Sequence, residues 1–218
     1  MKIGIIGAGH IGGTLTRRLE ELGHDVSVAN SRGPETLADL AAETGARAVS
    51  VSDAVRDKDL VIVTIPEKSV PELPADLLAA ANDQTVVVDT GNYYPQRDGR
   101  IDGIEAGVPE SKWVAEQLGR PVVKAFNNIV ASHLLEGGLP AGAAHRIALP
   151  VAGDDDGAKK VVLRLVDELG FDGVDAGSLD ESWRQQPGTP VYAADLDAAG
   201  VRRALREARP ERPEGFRA

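Results

Sequence analysis

The sequence predicts an α/β protein of the Rossmann type. It would be a doubly wound, mostly parallel sheet of seven to eight strands, followed by a short C-terminal helical segment. Three observations carry this expectation. Short β-rich runs alternate with helical patterns, as in a parallel sheet with crossover helices. The runs VIVT and VVVD show no polar alternation and read as central strands buried on both faces. A glycine-rich stretch, GAGHIG, separates the first apolar run from the first amphipathic pattern.

The elements follow in order. KIGII (2–6) opens the chain, and Ile11, Leu15, Leu19 and Leu22 then recur at helical spacing up to a stop at Gly23. DVSVA (25–29), RAV (47–49), LVIVT (60–64), TVVVD (85–89), PVVKAF (121–126) and RIALPV (146–151) are the next strands. FDGVD (171–175) supplies a short eighth. Val161, Leu165 and Leu169 mark a later helix, and Asp154-Asp155-Asp156 before it suits a helix N-terminus. No repeat of solenoid length interrupts this pattern. Residues 1–177 read as the dinucleotide-binding domain, and 178–218 as a short segment completing a substrate cleft. The charged, proline-rich tail is expected to be flexible from about residue 208.

Composition excludes several function classes. The chain has 218 residues, of which 42% are hydrophobic, enough for one substantial core. Its 24 Lys and Arg against 34 Asp and Glu give a formal charge of −10. Nucleic acid is a poor partner for that balance, because such binding rests on neutralising phosphates. Without cysteine there is no disulfide framework, thiol nucleophile or thiolate metal site. No leader is visible and no apolar stretch approaches the roughly 18 residues that span a bilayer. A cytoplasmic protein without membrane partners is expected.

Gly7-Ala8-Gly9-His10-Ile11-Gly12 is the first motif with chemistry in it. A bare GxGxxG means little, but this one leaves a strand and opens a helix. Gly7 permits the tight turn, Gly9 lets the backbone approach a pyrophosphate, and Gly12 lets helix and strand pack closely. Free N–H groups and the positive helix end would hold the phosphates. His10 reads as loop lining rather than a catalyst.

About twenty residues on, an NAD site normally offers an acid to the ribose hydroxyls. Here Asn30, Ser31 and Arg32 occupy that place. A carboxylate would repel a 2′-phosphate, whereas an amide, a hydroxyl and a planar guanidinium donate hydrogen bonds to it. Gly33-Pro34-Glu35-Thr36 follows, with Pro34 suited to a first helical turn. NADP(H) is therefore expected over NAD(H). Three further loops at strand ends should surround the nicotinamide. They are Thr64-Ile65-Pro66, the run from Asp89 through Thr90, Gly91 and Asn92 to Pro95, and Ala125-Phe126-Asn127-Asn128.

GIIGAGHIGGTLTRRLEELGHDV, NSRGPE, TIP, DTGN, VVKAFNN and VAGDDDGAKK together resemble the NADPH-dependent coenzyme F-420 reductase family. That family is related to the dinucleotide domain of pyrroline-5-carboxylate reductases. The resemblance covers most of residues 1–177. It implies NADP held by Ala8, Gly9, His10 and Ile11, with Ser31 and Arg32 at the 2′-phosphate. It also implies contacts near Ile65, Pro66, Val70 and Ala125. Thr36 stands where archaeal relatives use a lysine for the phosphate. Homodimers are implied by the same analogy. The stretch ESWRQQPGTPVYAADL (181–196) departs from the archaeal pattern and leaves the second substrate open.

Hydride transfer between two rings needs proximity, stacking and exclusion of water more than an acid. The sequence fits that: HExxH, GxSxG and YxxxK are all missing, as is a spaced set of metal ligands. No metal is expected, and the three aspartates read as a helix start. His133 is the one histidine placed to reach substrate, though a helix-surface position is the plainer reading. Lys124 reads as structural. The second substrate is expected to be coenzyme F-420, whose anionic tail calls for a positive patch drawn from Arg97, Arg100, Arg120, Arg146 and Arg184. The alternatives are a flavin or ferric reductase, a small imine or ketone reductase, and a non-enzymatic NADPH sensor.

Overall fold

In the computed structural model, which describes residues 1–218, six strands form one parallel sheet. They are β1 (Lys2–Ile6), β2 (Asp25–Ala29), β3 (Arg47–Ala48), β4 (Leu60–Val63), β5 (Val86–Asp89) and β6 (Val123–Lys124). Their order is β3-β2-β1-β4-β5-β6. The reversal between β1 and β4 opens a crevice at the strands' carboxyl ends, where such sheets take ligands.

The last two strands, β7 (Ala148–Val151) and β8 (Asp172–Asp175), pair in parallel with each other. One antiparallel bridge, Lys124 to Ala152, ties them to the main sheet. The expected seven to eight strands are thus a sheet of six plus a separate pair. The run 121–126 is shorter as a strand than expected: between Pro121, which has no N–H to give, and Phe126, which turns into the left-handed region at φ 61°, only Val123 and Lys124 join the sheet.

Eight helices surround these strands: α1 (His10–Glu21), α2 (Ala38–Thr44), α3 (Pro95–Asp98), α4 (Asp102–Glu105), α5 (Glu110–Leu118), α6 (Ala131–Glu136), α7 (Asp156–Glu168) and α8 (Ala198–Glu207). Burial follows strand alternation. Ile3, Ile5, Leu60 and Ile62 join Leu15 and Leu19 of α1 and Val162 and Leu165 of α7 in one core cluster. Ile6, Val61, Val63 and Val87 join Ala54, Val55, Leu77 and Leu78 in a second. Both faces of β4 and β5 are covered, which is why their sequences carry no polar alternation. α8 closes a third, small cluster over Ala148 and Val174 of the strand pair.

Asp155 caps α7, its carboxylate accepting the Ala158 N–H at 2.6 Å, and Asp154 accepts from Leu179 N–H at 2.8 Å. Two of the three aspartates therefore serve backbone. Residues 208–218, expected from composition to be flexible, run back over the domain. Arg212 pairs with Glu110 at 2.8 Å, and the Phe216 ring centre lies 6.2 Å from that of Tyr94. No helix is long and apolar enough to cross a membrane.

Candidate dinucleotide site

The glycine loop has the geometry that its residue types demand. Gly7 sits at φ 108°, and a Cβ there would lie 2.3 Å from the Thr64 carbonyl oxygen. A Cβ on Gly12 would stand 1.9 Å from the Gly7 carbonyl, so β1 and α1 close only with glycine at both places. Gly9 is different: it is exposed, and a Cβ would meet nothing within 4 Å. That open space faces the start of α1, whose N-cap carries no side-chain hydrogen bond. Free backbone donors and an empty approach together suit an anionic group. Ala8 and Ile11 are half-buried beside them and His10 is exposed.

Past β2 the chain is fixed by its own polar side chains. Asn30 Oδ1 accepts the Arg32 N–H at 2.9 Å, and its Nδ2 donates to Thr36 Oγ1 at 2.9 Å. Thr36 in turn donates to the Gly33 carbonyl at 2.8 Å. Asn30 and Thr36 thus shape the turn. Ser31 and Arg32 project from it into solvent, and the Arg32 guanidinium takes part in no ion pair. Ala8, Gly9, His10, Arg32 and Thr36 line one cleft of about 570 Å³, bringing the glycine loop and the arginine together. Its wall also holds Arg17, bound to Glu43 through Nε at 2.6 Å and Nη2 at 2.7 Å.

The other end of the crevice is densely charged beneath its surface. Thr64, Ile65 and Pro66 are half-buried at the end of β4, and Glu67 directly after them is fully buried. Neither carboxyl oxygen of Glu67 has a partner. Burial first, and then the Asp89 carboxylate, push its pKa well above the usual carboxylate range. Lys124 of β6, also fully buried, donates to Asp89 Oδ2 at 3.1 Å and to the Gly91 carbonyl at 2.5 Å. Burial opposes its charge, but Asp89, Glu110 and Glu67 outweigh that and raise its pKa. Asp89 also accepts from Gly91 N–H at 2.8 Å and Ser111 Oγ at 2.6 Å. The turn after β5 is held in place by this cluster.

Above it, Asn92 and Asn127 join the β5 and β6 loops. Asn92 Nδ2 donates to the Asn127 carbonyl at 2.8 Å, and Asn127 Nδ2 donates back to Asn92 Oδ1 at 3.1 Å. Gln185 completes the set, its Nε2 donating to Asn127 Oδ1 at 3.0 Å. Tyr94 and Tyr192 meet hydroxyl to hydroxyl. Burial, followed by this contact, raises the Tyr94 pKa, so the phenol keeps its proton. Thr90 and Ala125 are buried against the strands. The left-handed backbone at Phe126 is the kind of strain that clusters beside ligand sites.

Two residues expected near ligand lie elsewhere. Val70 is buried and lines a separate crevice with Leu73, Leu77 and Leu118. His133 sits on the outer side of α6 and pairs with Asp195 at 2.7 Å, outside the lining of the 570 Å³ cleft. All five arginines considered for a positive patch are engaged by neighbours, Arg100 by Asp102 at 2.8 Å. Arg97 holds Asp98, Arg120 donates to main-chain carbonyls, Arg146 holds Asp167 and Asp172, and Arg184 holds Glu181. Arg100 alone lines a second cleft, of about 760 Å³, with Arg209, Arg212, Arg217 and Trp183. Glu67, Glu110, Gln185 and Arg212 carry no signal in the sequence. Their partners are set by the tertiary fold, and only Lys124, a cation inside an apolar strand, hints at the cluster.

A sheet in this order, with a glycine loop at its switch point and a free cation past β2, defines a dinucleotide-binding protein. The chain belongs to the NADP oxidoreductase family described as coenzyme F-420-dependent, whose sequence model matches residues 2–93. Hypothetical protein SMa0349 from Sinorhizobium meliloti, known from a crystal structure, is 32% identical with a TM-score of 0.75, over 90% of this chain and 95% of that one. A candidate F-420-dependent NADP-reductase from Arthrobacter sp. shares the fold at 24% identity and TM-score 0.67, over 82% and 86% of the two chains. Protein YjhV of Escherichia coli is 51% identical over 67 residues, 31% of this chain and 49% of that protein. The match thus spans about half the length of this curated relative.

Proposed function

We propose that this chain binds NADP(H) and passes a hydride between it and a second redox ring, the deazaflavin coenzyme F-420. One observation carries the cofactor choice: Arg32 stands exposed and without an ion-pair partner on a braced turn, next to an exposed Ser31, and shares a cleft with the glycine loop. Ala8, Gly9, His10 and Ile11 would hold the pyrophosphate. Ser31 and Arg32 would hold the 2′-phosphate, with Asn30 and Thr36 keeping their turn in shape. Bound NADPH supplies the hydride. Thr64, Ile65, Pro66, Thr90, Asn92 and Asn127 would exclude water and orient the reacting ring.

For the second substrate, the supporting feature is the 760 Å³ cleft. Four arginines line it; Arg100 and Arg212 already pair with Asp102 and Glu110, while Arg209 and Arg217 form no ion pair. That suits an anionic acceptor. A second reading has one observation in its favour. The Tyr94–Tyr192 hydroxyl pair offers a proton donor, which a C=N or C=O acceptor requires and a deazaflavin does not.

The test is twofold. Calorimetry with NADP⁺ and NAD⁺ should show a preference of at least about tenfold for the phosphorylated form. Oxidation of NADPH should then be followed with deazaflavin, FMN, FAD, ferric chelate and a cyclic imine. Equal affinity for the two nucleotides overturns the cofactor assignment. Turnover with the imine alone moves the function to the second reading.

A further inference from the structure

Residues 209–217 look like solvated tail, yet they are clipped into the protein. The anchor is Arg212, whose Nη1 donates to Oε1 of Glu110 at 2.8 Å. That carboxylate is fully buried at the start of α5, and no other cation is hydrogen-bonded to it. A second Arg212 nitrogen donates to Gln186 Oε1 at 3.2 Å, and the guanidinium lies 5.2 Å from the centre of the Tyr93 ring. Leaving Glu110 buried without its partner would be strongly unfavourable, so the segment cannot drift away freely.

Beyond the anchor, the segment reaches the loop after β5. The Phe216 ring centre lies 6.2 Å from that of Tyr94, and Gln96 Nε2 donates to the Gly215 carbonyl at 2.9 Å. On its other flank it crowds the 185–189 stretch, where a Cβ on Gly188 would be 2.6 Å from Pro213 Cγ. These contacts tie the loop after β5 to the 185–189 stretch, the segment itself walls the 760 Å³ cleft opposite Gln186, Pro187 and Thr189, and none of the contacts touches the glycine loop or the β2 turn. Phe216 is the one large apolar side chain of the segment, and it is spent on Tyr94.

We propose that residues 209–217 form a positioning strap that walls the acceptor's cleft, in which Arg212 anchors the segment and Phe216 holds Tyr94, and through it the Tyr94–Tyr192 pair, in the loop that leads into that cleft. The proposal rests on the reading that this cleft receives the hydride acceptor. Arg212 and Phe216 are positioning residues in it, acting through Tyr94 rather than on the reacting atoms.

Amide exchange and steady-state NADPH oxidation on the full chain test it, using Arg212→Met, the double variant Arg212→Met/Glu110→Gln, and Phe216→Ala. The double variant removes the buried charge together with its partner, which restores stability lost in Arg212→Met. In Phe216→Ala and the double variant, exchange at Arg97, Asp98 and Gly99, whose N–H groups bond to the Tyr94 and Pro95 carbonyls, should quicken about tenfold. Exchange in α1 should not change. The kcat with whichever acceptor of that panel the wild type reduces should fall about tenfold while KM for NADPH stays constant. A double variant that regains melting temperature, loop exchange and kcat together makes Arg212 a mere counterion and overturns the proposal. Unchanged loop exchange in Phe216→Ala also overturns it. If no acceptor is reduced by the wild type but the loop still loosens in the variants, the reading of the cleft fails and the strap stands.

Discussion

The two ends of the proposed crevice are built by different means. At the adenosine end, the β2 turn is braced by neighbours: Asn30 reaches the Arg32 amide and Thr36, within six positions of itself. What it presents, Ser31 and Arg32, stands in water. At the acceptor end, four ionisable side chains, Glu67, Asp89, Glu110 and Lys124, are all but completely buried. Their partners come from distant parts of the chain, Glu110 and Arg212 being 102 positions apart. A local, exposed device can be altered without disturbing the fold. A buried, long-range one cannot, and so binding and stability should respond oppositely to substitutions at the two ends.

The largest effect should follow from Lys124→Met. It strips the only cation from Asp89 in a fully buried site, leaving that carboxylate uncompensated. A loss of about 3–5 kcal/mol is expected from urea unfolding. A loss below about 1 kcal/mol would mean that the cluster does not brace the β5 turn. Next in size is Arg32→Ala, which should weaken NADP⁺ roughly ten- to hundredfold by calorimetry while leaving NAD⁺ and the unfolding midpoint nearly unchanged. Loss of stability in this variant would erase the contrast between the two ends.

Glu67 gives a pH-dependent effect. Its folded-state pKa is raised by burial and then by Asp89, so the native protein keeps a proton that the unfolded chain releases. The native state therefore binds more protons, and stability falls as pH climbs from the ordinary carboxylate range toward the raised folded value. Glu67→Gln should match wild type at about pH 4 and exceed it at about pH 8, the gap growing by at most about 1.4 kcal/mol per pH unit. Denaturant midpoints across that range measure it, and parallel curves would show that Glu67 titrates normally. The smallest effect should be that of Asn30→Ala. With Ser31 and Arg32 still present, it should reduce NADP⁺ affinity only about threefold to tenfold, through a looser turn.

The same contrast explains what the amino-acid sequence discloses. The glycine loop, the alternation of strands with helices and the cation past β2 are local patterns, and each appears in the fold as its residues imply. Gly12 is forced by the Gly7 carbonyl beside it, and Gly7 by the Thr64 carbonyl at the end of β4, yet the glycine spacing that marks the loop is local. The split of the sheet into six strands and two was not legible, because a β-rich run does not say which strand it will pair with. Nor was the charged cluster. Glu67 follows Pro66 like any loop acid, and only the packing of Asp89, Lys124 and α5 around it makes it a buried carboxyl without partners. Arg212 sits in a run whose composition argues for disorder. Its ion pair with Glu110 and the Phe216–Tyr94 contact join residues far apart in the chain, which composition does not record.

The distance along the chain between Glu110 and Arg212 also orders events in time. A polypeptide leaving the ribosome can brace the β2 turn as soon as Thr36 has emerged. Lys124 supplies Glu110 with a nearby charge early, but the cation hydrogen-bonded to that carboxylate exists only after 102 further residues have been added. Until then α5 lacks that contact, and closing so long a loop is slow in its own right. The nascent chain can thus assemble a nucleotide-ready half well before its partner half is able to settle.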